Sequence, residues 1–125
     1  MSDYTAKRIK DMETGFGGGF VKVRAELGAS AFGMQVVQLP PDYSDYPEHD
    51  HLETGQEEVF AVIGGSGWIE IDGERVELDG ETIVRVGPGA RRKLLAGPQG
   101  LRVLAIGGAP GEAYKIVEST ELSAA

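Results

Sequence analysis

The feature that most constrains this sequence is the recurrence of glycine-containing turns between short runs of β-forming residues. The chain has 19 glycines in 125 residues, and their spacing indicates turns between strands rather than disorder. The pattern predicts about eight or nine short strands and no long helix. We therefore expect an all-β fold, and a single domain of this size is consistent with a jelly-roll barrel.

The boundaries follow from alternating apolar and polar residues and from turn signals. Predicted strands include residues 32–39, 58–63, 68–71, 82–86, 91–96, 101–106 and 113–117. Turns are expected at 64–67, at Asp72-Gly73 and at 97–100. Residues 1–19 are predicted to be an N-terminal extension, 20–118 the barrel, and 119–125 a loose C-terminal tail.

The chain's only two histidines, His49 and His51, are one residue apart. On an extended strand, residues i and i+2 point to the same side, so the two imidazoles would lie side by side. Glu58 opens the next run of β-forming residues. Two neutral imidazoles and one carboxylate are a ligand set for a divalent Zn, Fe, Mn or Ni ion, with positions left for water or substrate. The alternative is a pair of surface histidines in an acidic loop.

Composition excludes several other classes of function. A net charge of −8 argues against a nucleic-acid partner, because phosphate binding depends on Lys and Arg. There is no apolar run of ~18 residues, so no membrane span is expected. The chain has no cysteine, which excludes disulfides and thiolate metal sites. A cytoplasmic location fits these features, and no secretory signal is visible at the N-terminus.

The histidine segment and the strand after it resemble the first motif of the cupin family, written G-x5-H-x-H-x3-4-E-x6-G. His49 and His51 supply the H-x-H, while Glu58, six residues and Gly65 supply the E-x6-G. The resemblance covers residues 32 to 106 and implies a cupin-like jelly-roll barrel. It also implies a divalent metal held by the motif residues, and dimers formed by pairing of barrels.

Three departures from the family pattern affect the site. The second motif, G-x5-P-x-G-x2-H-x3-N, is matched loosely by Gly80 and residues 87–89, and its histidine position is occupied by Arg92. The family's usual set of three histidines and one glutamate is therefore incomplete. The leading glycine of the first motif is Tyr43. The segment before the motif glutamate is also lengthened, so a bulge or loop must absorb residues 52–56.

Arg92 leaves two alternatives for the chemistry of the site. A guanidinium cannot ligate a metal, because it stays protonated and has no free lone pair. In the first alternative, Arg92 points into the barrel and forms a bidentate pair with Glu58 that replaces the metal. In the second, Arg92 swings away and anchors an anionic substrate, while His49, His51 and Glu58 form a facial triad with open positions.

Four further residues are site candidates. Glu53 and Gln56 lie in the lengthened segment and are candidates for an extra metal ligand. Tyr43 and Tyr46 precede the histidines and are candidates to line the mouth of a substrate pocket, with ordinary packing as the alternative.

Three hypotheses for function follow. The first is a metalloenzyme acting on a small polar or anionic molecule; by resemblance to cupins, dioxygenase, isomerase and decarboxylase activities are open. The second is a metal-free barrel that binds a small ligand, with Arg92 as anion clamp. The third is a homodimerisation module.

Overall fold

The computed structural model describes residues 3–123, and seven strands are the main secondary structure of this range. The strands are β1 Thr14–Gly15, β2 Phe20–Val21, β3 Gly33–Leu39, β4 Glu57–Ile71, β5 Glu74–Leu78, β6 Ile83–Val86 and β7 Arg92–Gly108. One short α-helix, α1, spans Val23–Leu27, and 3-10 turns span Ile9–Asp11, Phe16–Gly18 and Glu118–Thr120. Within the described range no helix is long and apolar enough to cross a membrane. Residues 1–2 and 124–125, the ends of the predicted extension and tail, lie outside it.

All strand pairs are antiparallel. The sheet order is β1-β2-β3-β7-β4-β5, and β6 pairs with β4. The first half of β4 lies between β6 and β7, while its second half lies between β5 and β7. The predicted central position of the apolar run 101–106 is confirmed, because this part of β7 pairs with both β3 and β4. The all-β prediction is confirmed.

Two long strands, β4 and β7, stand where the sequence predicted four short strands and two turns. The turns predicted at residues 64–67 and 97–100 are wrong, because β4 and β7 continue through them as paired strands. Register shifts between Val62 and Gly64 and between Gly65 and Gly67 bend the pair instead. Such bulges increase the twist of a sheet, which lets it curl around a core. The glycines therefore curve the barrel without ending its strands.

The curled sheet encloses one main hydrophobic core. Its buried members come from β3 to β7: Val37, Leu39, Phe60, Ile69, Leu78, Val86, Leu94, Ala96, Leu101, Val103 and Ala105. A second, smaller core on the other face of β3 contains Met12, Val21, Val23 and Val36. Met12 brings the predicted N-terminal extension into this second core.

The C-terminal segment differs from its prediction in two ways. Residues 113–117 form no strand. The segment after them is also not loose, because Glu121 pairs with the buried Arg24 of α1. The Ser123 amide donates to the carboxylate of Glu13 at 2.9 Å, and Lys22 Nζ donates to Glu13 at 2.8 Å. Charged and polar groups attach the C-terminal segment to the rest of the protein. The sequence prediction rested on the pattern of apolar residues, which does not indicate such contacts.

This attachment should weaken in acid. The hydrogen bond from Lys22, followed by that from Ser123, lowers the pKa of Glu13 below its ordinary value of 4.5. A carboxylate with a lowered pKa stabilises the attached state fully when the pH is above the ordinary pKa of the group. This stabilisation is lost as the pH falls through the lowered pKa. We expect the Ser123 amide to be ordered at pH 7 and mobile in acid, as measured by its ¹⁵N heteronuclear NOE. Glu13→Ala should release it at pH 7, and Glu112→Ala should not; an ordered Ser123 in Glu13→Ala would contradict the prediction.

Candidate metal centre

The histidine segment runs antiparallel to the start of β7. His49 and Arg92 exchange two backbone hydrogen bonds, of 3.0 Å from the His49 amide and 2.8 Å from the Arg92 amide. The amide of His51 donates to the Pro88 carbonyl at 2.9 Å. These bonds place both imidazoles together, with ring centroids 5.1 Å apart and ring planes at 85°. The predicted pairing of the two rings is confirmed.

Glu58 reaches the two rings from β4. Its strand neighbours are Val86 on β6 and Gly107 on β7, and its side chain is buried. The Nε2 atom of His51 and the Oε1 atom of Glu58 are 2.9 Å apart. Residues 52–55 between them form a turn, as the lengthened segment required. One ligand atom from each of His49, His51 and Glu58 lies within 4.8 Å of the others.

A backbone carbonyl orients one of the imidazoles. His49 Nδ1 lies 3.1 Å from the Pro47 carbonyl oxygen. A proton on Nδ1 donates to that oxygen and leaves the lone pair on Nε2 free. Metal-ligating histidines are usually oriented in this way by a hydrogen bond from their second nitrogen.

The three residues fit a divalent ion. Two ligands each about 2.1 Å from one metal stand at most about 4.2 Å apart, so the observed spacing requires only a small contraction. The ligand types are those that Zn, Fe, Mn and Ni accept in proteins. Of the two predicted extra ligands, Glu53 is exposed in the turn and does not belong to this group. Gln56 lies beside Gly107, the strand partner of Glu58, and its role as a ligand stays a prediction.

Arg92 points into the barrel and is completely buried, at 0% exposure. Its terminal nitrogens donate to three backbone carbonyls, of Ala90 at 2.9 Å, Gly87 at 3.0 Å and Val86 at 3.4 Å. Its Nε atom is 3.4 Å from Glu58 Oε1 and has no hydrogen-bond partner among the described residues.

These contacts agree with part of the first alternative, because Arg92 points inward and its Nε atom forms an ion pair with Glu58. The predicted bidentate geometry is wrong, because the two terminal nitrogens that would form it bind carbonyls of the 86–90 segment. The outward swing is also absent, because a fully buried guanidinium with these partners has no exposed surface. Arg92 supplies a positive charge beside Glu58 and fixes the segment that carries Pro88. Its predicted role as an anion anchor would require the side chain to leave these carbonyls.

One tyrosine lies beside the candidate metal centre, and a second lines the same hollow as the first. The Tyr46 ring is half-buried, 5.8 Å from the His49 ring. Burial, and to a smaller extent the Glu58 carboxylate, raise the pKa of Tyr46 well above its ordinary value, while Arg92 opposes the rise. Its hydroxyl therefore stays protonated at neutral pH. Tyr43 is exposed, and both tyrosines line a hollow of about 820 Å³. Their predicted position at the mouth of a substrate pocket stays a prediction.

The sequence interpretation missed the rest of this hollow. Its wall includes Phe16, Phe20 and Arg102, which come from the N-terminal segment and from β7. The phenylalanine next to a run of three glycines at 17–19 was the available signal, because a large apolar side chain in such a run has few neighbours to pack against. Nothing in the sequence marked the carbonyls that bind Arg92.

Comparison with known proteins supports the fold. No protein-family model matches the chain, and no curated protein matches it. Among solved structures, the chain is similar to a cupin protein from Bacteroides fragilis, with a TM-score of 0.72 and 21% identity over 100% of both chains. It is similar to a sugar phosphate isomerase of the cupin superfamily from Silicibacter pomeroyi, with a TM-score of 0.67 and 17% identity over 82% of this chain and 74% of that one. A protein from Photorhabdus luminescens has a TM-score of 0.66 and 16% identity, over 96% of this chain and 92% of that one. The predicted resemblance is therefore confirmed, and the chain has the jelly-roll fold of the cupin superfamily.

Proposed function

We propose that the chain binds one divalent metal ion through His49, His51 and Glu58 and presents it to a small polar or anionic molecule. The observation that carries the proposal is the convergence of the three ligand atoms within 4.8 Å. Three ligands from the protein leave coordination positions free for a substrate. The hollow beside Tyr46 provides space for that molecule.

The roles of the chain's own residues follow from their positions. When bound, the metal supplies Lewis-acid or oxygen-activating chemistry. His49 is oriented by the Pro47 carbonyl, and Glu58 is held close to the buried Arg92 cation. Tyr46 offers a protonated hydroxyl as a hydrogen-bond donor at the edge of the centre. Arg92 occupies a place where the cupin motif has a further ligand, which keeps the protein ligands to three.

The second candidate is a metal-free barrel that binds a small ligand. It is favoured by the 2.9 Å contact between His51 and Glu58, together with the Arg92 charge 3.4 Å from the same carboxylate oxygen. These contacts satisfy Glu58 without a metal. The two candidates differ in one measurable quantity, the metal content of the purified protein.

Homodimerisation and a cytoplasmic location stay predictions. Exposed apolar side chains of Val59 and Ile63 on β4 and of Ile83 on β6 favour a second copy as partner. Contiguous apolar surface of this kind is frequent at protein–protein interfaces.

Metal loading tests the proposed function. Protein purified without an affinity tag, stripped of metal and supplied with Mn, Fe, Ni or Zn in turn should take up close to one equivalent of at least one of them, as measured by elemental analysis after desalting. Removing a residue that only orients a metal ligand weakens metal binding by about 10- to 100-fold. His51→Ala and Glu58→Gln remove proposed ligands themselves, so each should weaken metal binding by more than this.

The matched control is Glu57→Gln. Glu57 is the chain neighbour of Glu58, but its carboxylate pairs with Arg85 at 2.7 Å instead of the histidines. This variant should load metal like the wild type. Folded wild-type protein that takes up none of the four metals would rule out the metal centre and leave the metal-free barrel.

A further inference from the structure

The charged lining of the hollow beside the metal centre is positive. The hollow is lined by residues from the N-terminal segment, β3, the segment before the histidines, and the bends of β4 and β7. None of its lining residues is acidic, although the chain has 20 Asp and Glu and a net charge of −8. Among residues 3–123, Arg102 is the only charged residue that lines it. An anion would therefore meet a cation and no carboxylate there.

Arg102 is available to such an anion. Within residues 3–123 the Arg102 guanidinium forms no salt bridge and no side-chain hydrogen bond, whereas five of the chain's six other arginines form both. Those five are Arg24, Arg75, Arg85, Arg91 and Arg92, and Arg8 is the exception. The Arg102 stem lies along Gly64, where the absence of a side chain leaves room, with its Cδ atom 3.5 Å from the place a Cβ would occupy. Guanidinium groups pair with carboxylates through two parallel hydrogen bonds.

The remaining wall favours a flat apolar body. Four aromatic rings line the hollow: Phe16, Phe20, Tyr43 and Tyr46. The rings of Phe16 and Phe20 meet edge to face, with centroids 5.6 Å apart at 73°. Aromatic rings prefer such edge-to-face and offset-stacked contacts. A ligand ring packed against this pair would extend an arrangement that already exists.

Phe16 gives an independent sign that something covers this wall. Its backbone has φ of 52°, a left-handed conformation that a bulky residue rarely adopts. Its side chain is nevertheless 76% exposed, so burial of the ring does not explain the strain. Strained residues of this kind cluster at ligand-binding sites. An aromatic ligand would bury the ring.

We propose that the hollow binds a small aromatic monocarboxylate, with its ring against Phe16 and Phe20 and its carboxylate at Arg102. The volume of about 820 Å³ lies within the range of small-molecule pockets. Tyr46 lines the hollow and also lies 5.8 Å from the His49 ring, so the ligand would sit beside the metal centre. This inference deepens the proposed function by naming a substrate class, and it rests on that function only for the step from binding to chemistry.

Calorimetric titration of the metal-free full-length protein with phenylacetate tests the proposal. We expect phenylacetate to bind at least about tenfold more tightly than phenylacetamide, because a hydrogen bond to a charged group contributes that much. Hexanoate, which has the charge but no ring, should also bind more weakly. Arg102→Met should abolish the preference for the acid over the amide, and Phe16→Ala should weaken binding without lowering Tm. Arg85→Met, outside the hollow, should bind like the wild type.

The outcomes separate this proposal from the metal centre. Absence of phenylacetate binding, equal binding of the amide, or an unchanged preference in Arg102→Met would overturn it. Because the titration uses metal-free protein, phenylacetate binding by a wild type that takes up no metal would support the hollow and reject only the metal centre. Metal uptake without phenylacetate binding would support the metal centre and reject only the proposed aromatic carboxylate site.

Discussion

Replacing Arg92 with methionine is expected to lower the free energy of unfolding by about 3 to 5 kcal/mol, the usual effect of removing one partner from a buried ion pair. The change leaves the buried Glu58 carboxylate without its cation. It also removes the guanidinium donor from the carbonyls of Val86, Gly87 and Ala90, and lost hydrogen bonds to a charged group are costly. Urea unfolding followed by circular dichroism measures the difference.

Arg91→Met is the matched control for this prediction. Arg91 is the chain neighbour of Arg92, but it is exposed and pairs with Glu48 at 3.3 Å. Exposed ion pairs contribute about 0 to 1 kcal/mol, so the control should stay close to the wild type. Similar losses in the two variants would show that Arg92 does not hold the site together.

Gly65→Ala is expected to destabilise the protein by more than about 4 kcal/mol, which is the range of exceptional single substitutions. Gly65 has φ of 68°, and a Cβ there would overlap the carbonyl oxygen of Gly100 on the neighbouring strand. The Cβ is bonded directly to the backbone of β4, and the carbonyl oxygen belongs to the backbone of β7. Neither atom can move aside without breaking the pairing of the two strands. Thermal unfolding measures the effect, and insoluble expression would be its extreme form.

Gly80→Ala provides the control of opposite sign. Gly80 does not have a left-handed φ, and no heavy atom lies within 4 Å of the place its Cβ would occupy. An alanine there restricts the unfolded chain and should stabilise the protein by about 0.4 to 1 kcal/mol. If Gly65→Ala were as stable as Gly80→Ala, the backbones of β4 and β7 could not approach each other at the bend as closely as described.

The sequence predicted the strands and the site better than it predicted the bends. Alternation located β3 and the β4–β5 hairpin at Asp72-Gly73, because these signals depend on neighbouring residues. The glycines at 64–67 were interpreted as a turn, since a glycine that ends a strand and one that admits a neighbouring backbone look alike in sequence. Only the pairing of β4 with β7, which places Gly65 opposite Leu101 and Gly67 opposite Ala96, distinguishes them.

The candidate metal site and the contacts of Arg92 also differ in how far the sequence predicts them. The grouping of His49, His51 and Glu58 was predictable, because these side chains are chemically specific and the two histidines are one residue apart. The partners of Arg92 were not, since they are backbone carbonyls that any residue would carry. Arg102 was missed for a related reason: an arginine without an acidic partner is recognisable only once its neighbours are known.

The most direct test of the metal centre is an anomalous difference map from crystals grown with Zn²⁺, recorded on both sides of the zinc absorption edge. We expect a peak about 2.0 to 2.2 Å from one nitrogen each of His49 and His51 and from a carboxylate oxygen of Glu58. A map with no peak at these three residues, or with the two imidazoles turned away from Glu58, would contradict it.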